Sequence, residues 1–256
     1  MLTRRQLREL RSERVPLHIL ELDYVQAVVL RGVYARDDLV FKGGTCLRKL
    51  HGLPRFSEDL DFSVASTDVG EAEARASVEA GASMIGRAGM QVEVKDWQPR
   101  RGGYLCRLRY EGPLFTGDNL SRGTLQVEVS RAVPVKEPVW TSIASDYVDA
   151  GTFLVRAMDP EEMAAEKLRS LRQRRKPRDL LDVWFLLGKG IRPDEEFLAR
   201  KLDEVGVEPE LTAVDLVEGF DVTEEEWSGD LGVLVERVPD LATVRRETRE
   251  ALVRGN

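Results

Sequence analysis

The sequence predicts an α+β chain, with a sheet and its flanking helices first and a helical part after them. Two observations carry this. Segments that alternate apolar and polar residues, as a half-buried strand does, recur at 59–64, 91–97, 104–110 and 125–130. From Asp159 onward, helix starts and 3–4 spacing take over. We therefore expect a core over residues 1–157, with its own N-terminal helices, and a helical domain over 158–256. With 256 residues, 42% apolar and 32% charged, the chain is long enough and apolar enough to fold around a core.

Taken in order, residues 3–14 read as a charged amphipathic helix stopped near Pro16. A second helix is expected over 17–34, with Leu20, Tyr24, Ala27, Val28 and Arg31 at helical spacing. Leu39 to Phe41 read as a strand. Gly43 and Gly44 supply a turn whose backbone lets a ligand come close, and Thr45 stands where a helix N-cap belongs. A helix opening from a glycine turn presents free N–H groups and a positive dipole end, which suits phosphate. Pro54 closes that element.

From Asp59 the alternation puts Asp59, Asp61 and Ser63 on one strand face and Leu60, Phe62 and Val64 on the other. Two carboxylates pointing one way are costly without a cation. Mg²⁺ suits the pair, because it takes one or two carboxylates together with phosphate oxygens. A phosphate cradle is thus followed by a metal site.

The run KGGTCLRKLHGLPRFSEDLDF resembles the AbiEii/AbiGii nucleotidyltransferase toxins, the toxin half of type IV toxin–antitoxin systems. Gly43-Gly44-Thr45 followed by Asp59-Leu60-Asp61 is similar to the signature of the wider superfamily with the DNA-polymerase-β-type fold. The resemblance implies a mixed sheet flanked by helices. It also implies a Mg²⁺-dependent transferase, with Mn²⁺ as the alternative ion. Such an enzyme takes an NTP, moves its nucleotide to the 3′ acceptor end of tRNA, and is countered by a cognate antitoxin protein. Asp59 and Asp61 would hold the metal, and Gly43, Gly44 and Thr45 the nucleotide's phosphates.

Beyond this stretch, residues 68–88 read as a helix capped by Gly89. The strands at 91–97 and 104–110 form a hairpin, with Arg107 and Arg109 on its polar face, either solvated or turned to phosphates. In the strand 125–130, Glu128 is an ordinary cross-strand residue or the third carboxylate that the superfamily takes from a strand beside the paired acids. There it would help hold the metal or act as general base. Residues 131–158 read as irregular, apart from a strand at 152–156.

Asp159-Pro160-Glu161-Glu162 is a helix start, with Asp as N-cap and Pro at the first helical position; the helix is expected to run to Pro177. Between Lys167 and Arg178 stand seven Lys/Arg and no acid. This is a solvated helix end, a phosphate or tRNA surface, or both. In the helix that follows, Asp179 fits an N-cap, with Asp182 three residues on. The run EKLRSLRQRRKPRDLLDVWFLL also resembles the second half of the toxin family. That resemblance assigns Lys167 to the triphosphate and Asp179 to activity, with Asp182 as the further acid. Past Ile191, helices are expected at 197–202, 210–217 and 241–253, and Trp227 is expected to pack.

Charge is uneven. Residues 191–256 carry 8 Lys/Arg against 18 Asp/Glu, and residues 1–190 carry 30 against 27. The acidic total of −7 therefore leaves an RNA partner open. Cys46 and Cys106 match no metal or redox spacing, and His18 and His51 form no metal motif. No signal peptide and no membrane-spanning run is recognised, so a cytoplasmic, membrane-free setting is expected. The rival readings are a transferase acting on a protein or small molecule, and a non-catalytic NTP-binding or interaction module.

Overall fold

A computed structural model describes residues 1–10 and 15–254, which divide into two compact units, Met1–Met158 and Asp159–Asn256. The first unit is built on one mixed seven-stranded sheet. Its elements run α1 (Arg4–Glu9), α2 (Leu17–Val33), β1 (Leu39–Lys42), α3 (Gly43–His51), β2 (Asp59–Val64), α4 (Glu71–Arg87), β3 (Gln91–Arg100), β4 (Gly103–Glu111), β5 (Gly123–Ser130), β6 (Val139–Ala144) and β7 (Thr152–Ala157), with a short 3₁₀ turn at Asn119–Ser121. The strand order is β3-β4-β5-β2-β1-β7-β6. β1 is antiparallel to β2, while β2–β5 and β1–β7 are parallel pairs.

The alternation read from the sequence divides this sheet into two faces. Leu60, Phe62, Leu125, Val127, Val129, Cys106 and Leu108 are buried, and α2 and α4 lie against the sheet. The opposite face carries Asp59, Asp61, Gln126 and Glu128. Gly32 and Gly81 are what let α2 and α4 approach: a side chain on Gly81 would meet Val29 at 2.9 Å.

Several expected boundaries shift. The first helix ends at Glu9, and the expected residues 11–14 lie outside the described ones. Gly52, in the left-handed region at φ 75°, ends α3 ahead of Pro54. Thr45 is not an N-cap: α3 begins at Gly43 with Lys42 in the cap position, so Thr45 is the third helical residue. The segment expected to be irregular contains β6, an edge strand paired antiparallel with β7.

The second unit is helical: α5 (Pro160–Gln173), α6 (Pro177–Gly188), α7 (Glu195–Asp203), α8 (Ala213–Glu218), α9 (Glu224–Leu231) and α10 (Leu241–Val253). Asp159 caps α5 as expected, accepting from Glu161 N at 2.9 Å. Leu168, Leu180, Leu202, Trp227, Leu231 and Val244 fill the unit's core, and the Trp227 indole donates to the Pro239 carbonyl at 2.8 Å. Among the described residues no helix is long and apolar enough to cross a membrane.

Candidate active site

In the first unit, β1 delivers the chain to α3 and β2 brings it back antiparallel, so Lys42 at the end of β1 lies opposite Asp61. Gly43 opens α3 with φ +75°, and a side chain there would run into the Asp61 carboxylate. Glycine is thus required twice, for its dihedral and for the approach of that carboxylate to the backbone. The Asp61 carboxylate lies against the N-terminal turn of α3, where negative charge is favoured.

Asp59 and Asp61 share one face of β2 and are both partly exposed. Thr45 is wholly buried, and its hydroxyl donates to the Asp59 carbonyl at 2.5 Å. From α2, the buried Gln26 amide donates to the Ser57 carbonyl at 2.9 Å and to the Asp59 carbonyl at 3.4 Å. The start of β2 is therefore tied to both α3 and α2. Across the parallel ladder, Gln126 is level with Asp59 and Glu128 with Asp61. Registered residues point to the same side, so Glu128, exposed, stands beside Asp61 on the polar face. The Gln126 amide donates to Glu128 Oε1 at 2.9 Å.

This donor set fits one divalent ion of the Mg²⁺ kind: two hard oxygen ligands two residues apart on a strand, with phosphate oxygens to complete the shell. Among the described residues no three His, Cys, Asp or Glu side chains converge as a metal cage. Both cysteines are buried. Burial pushes the Cys46 thiol far up and the Cys106 thiol up to about 11, which leaves neither reactive.

In the second unit the basic run is less bare than its sequence suggests. Lys167 is only 5% exposed; its ammonium meets Asp182 at 2.7 Å and Asp179 at 3.1 Å, both carboxylates being fully buried. Arg174 clasps Asp179 through two bonds, at 2.8 and 2.7 Å. Burial acts to raise the Asp179 carboxyl, but Lys167 and Arg174 outweigh it and hold it well below the usual range. Of the two readings of Asp179, the capping one gives way here. Lys176 is the cap residue, Pro177 opens α6, and Asp179 sits one turn inside with its side chain spent on the two cations. Arg169 pairs with Glu204 and Arg178 with Asp230, which leaves Arg172, Arg174, Arg175 and Lys176 as the exposed part of the run.

Sequence reasoning missed Lys42, Gln26 and Arg55. Lys42 and Gln26 lie in strand and helix patterns that do not mark them out. Arg55 lies in the loop between α3 and β2, where no periodicity operates, yet it is 2% exposed and its guanidinium lies where a Gly44 side chain would stand.

A strand–turn–helix with two carboxylates on the returning strand defines a nucleotidyltransferase fold. The profile of the family described as "Nucleotidyl transferase AbiEii toxin, Type IV TA system" matches residues 29–252, and the chain belongs to that family. Among solved structures it is similar to MenT4, a nucleotidyltransferase toxin from Mycobacterium tuberculosis, at 23% identity and TM-score 0.69, over 98% of this chain and 89% of that one. It is also similar to JHP933 from Helicobacter pylori, at 21% identity and TM-score 0.60, over 93% and 92%. At these identities the likeness speaks for the fold. No curated protein matches the chain.

Proposed function

We propose that this nucleotidyltransferase moves a nucleotide from an NTP to the 3′ acceptor end of tRNA, blocking aminoacylation and hence translation until a cognate antitoxin protein counters it. The observation that carries the chemistry is the Asp59/Asp61 pair on one face of β2, with the Gly43–Gly44 turn packed against Asp61. Backbone N–H groups at Gly43 and Gly44 grip the β and γ phosphates. Thr45 acts from inside, holding Asp59 in place through its carbonyl. Mg²⁺, or Mn²⁺, held by Asp59 and Asp61 would neutralise phosphate charge and make the α-phosphorus easier to attack. Glu128, beside Asp61, accepts the proton of the attacking hydroxyl.

Lys167 is assigned to the charge on the leaving pyrophosphate. What supports this is an ammonium oriented by two buried carboxylates, with Asp179 and Asp182 as its holders. The exposed cations Arg172, Arg175 and Lys176 suit an RNA backbone. Catalysis is then mostly positioning and electrostatics.

The test mixes purified protein, Mg²⁺ and each α-labelled NTP in turn with total tRNA, beside Asp61→Ala. Label on tRNA that vanishes in the variant is the expected result. Label on protein, or pyrophosphate release with a small-molecule acceptor, would keep the chemistry and remove tRNA. NTP binding without turnover on any acceptor would leave a binding module.

A further inference from the structure

The two glycines of the turn are glycine for different reasons. Gly43 needs its positive φ, but Gly44 is not among the positive-φ residues, so dihedral freedom does not explain it. What excludes a side chain at 44 is Arg55: Nη2 lies 2.5 Å, and the guanidinium carbon 3.2 Å, from where a Cβ would stand, with Ser57 Oγ at 3.0 Å.

Arg55 is also preset. It is 2% exposed, Nη1 donates to the Phe56 carbonyl at 2.9 Å, and the loop carrying it is fastened at several points. The Arg48 guanidinium stacks on the Phe56 ring at 3.6 Å and reaches the Arg55 carbonyl at 3.5 Å. Arg48 in turn bonds the buried Asp23 at 3.1 Å, and Gln26 holds the Ser57 carbonyl. A delocalised cation is thereby fixed behind the second residue of α3, the turn whose amides and dipole already favour an anion.

We propose that Arg55 is the positioning residue of the triphosphate turn: buried behind Gly44, it fixes the turn's backbone and adds positive charge beneath the β and γ phosphates. This rests on the nucleotidyltransferase reading above. It assigns Gly44 the task of admitting the guanidinium, and it places the effect on the phosphates rather than on the base.

The experiment measures binding of NTP and of the matching nucleoside monophosphate, with Mg²⁺, to wild type, Arg55→Gln, Arg55→Lys and Gly44→Ala, with a thermal melt for each. Arg55→Gln should bind NTP roughly tenfold to a hundredfold more weakly while its monophosphate affinity stays within about twofold. Arg55→Lys should regain most of the loss, because charge carries it. Gly44→Ala, which crowds the guanidinium out of its place, should reproduce the triphosphate-selective loss. It also carries the test if Arg55→Gln does not fold. Unchanged NTP affinity in the folded variants overturns the proposal. So does an equal loss for both ligands, or a Lys variant as weak as the Gln one. Wild type that binds no NTP overturns this proposal and the functional reading together, whereas wild-type binding matched by the variants overturns the Arg55 role alone.

Discussion

At Lys167 charge and burial are closely linked. Its ammonium meets the buried Asp179 and Asp182; Asp179 also keeps the Arg174 guanidinium, so the loss of Lys167 falls mainly on Asp182. Removing one partner of a buried ion pair strands the other, at a cost of about 3–5 kcal/mol. Lys167→Met is therefore expected to lower the unfolding free energy by about that much in urea titration, and to abolish transfer. A drop under about 1 kcal/mol would show that Arg174 and the surrounding polar groups hold the two carboxylates without the ammonium. Asp61 has the opposite profile. It is partly exposed and packs against a glycine backbone, so Asp61→Asn should leave the melting temperature within a few degrees. The same change should reduce kcat by about a hundredfold to a thousandfold, the usual cost of losing an electrostatic group at a reacting centre.

At the scale of elements, α3 is the hinge between the two halves of the motif, and each end has its own physical requirement. At its start, Gly43→Ala meets both a left-handed dihedral and the Asp61 carboxylate. We expect a loss of about 1–3 kcal/mol and of transfer together. One turn in, Thr45→Val keeps the shape but removes the hydroxyl that donates to the Asp59 carbonyl. The expected cost is about 1 kcal/mol, with Thr45→Ser recovering it. Calorimetry on the three variants checks the order. A Thr45→Val protein as stable as wild type would show that Gln26, whose amide also reaches that carbonyl, holds the strand start by itself.

At the scale of the molecule, buried ionic clusters set how stability follows pH. For Asp23, burial acts upward and Lys49, Arg48 and the Tyr147 hydroxyl act downward, with a net lowering; Asp179 behaves likewise. A carboxyl lowered on folding contributes stability that is present above its unfolded pKa, about 3.9, and lost as pH falls through the folded value. For Lys201, burial acts downward, but Glu166, Glu162 and Glu204 raise it overall. Its contribution is complete below the unfolded value of about 10.4 and lost as pH rises through the folded one. Glu21 runs the other way: burial raises it despite the Leu114 amide, so its ionisation opposes folding. The melting temperature should therefore be nearly flat from about pH 6 to 8, fall below about pH 4, and fall again above about pH 8.5, where the unfolded thiols ionise and the buried Cys46 and Cys106 do not, and further above about pH 10. A melting temperature that climbs as the pH drops from 5 to 3 would show Glu21 outweighing the lowered aspartates.

What a few consecutive residues decide is legible in the chain alone. Alternation placed Asp59 and Asp61 on one face of a strand, Gly43 announced a turn, and Asp159-Pro160 marked where α5 begins. These follow from backbone geometry, which repeats every two or 3.6 residues whatever the rest of the chain does. Which distant residues meet depends on strand pairing and packing. Glu128 stands level with Asp61 because β5 pairs parallel to β2 in one register, and a slip of one residue would turn it to the other face. β6, behind Pro138, is a strand because β7 offers it a ladder. Asp179 fits a cap by its place after Pro177, and its burial against Lys167 and Arg174 is settled by packing rather than by neighbours in sequence. Arg55 belongs to the same class. Nothing periodic marks a loop arginine, and its place behind Gly44 exists only once α2, α3 and β2 have come together.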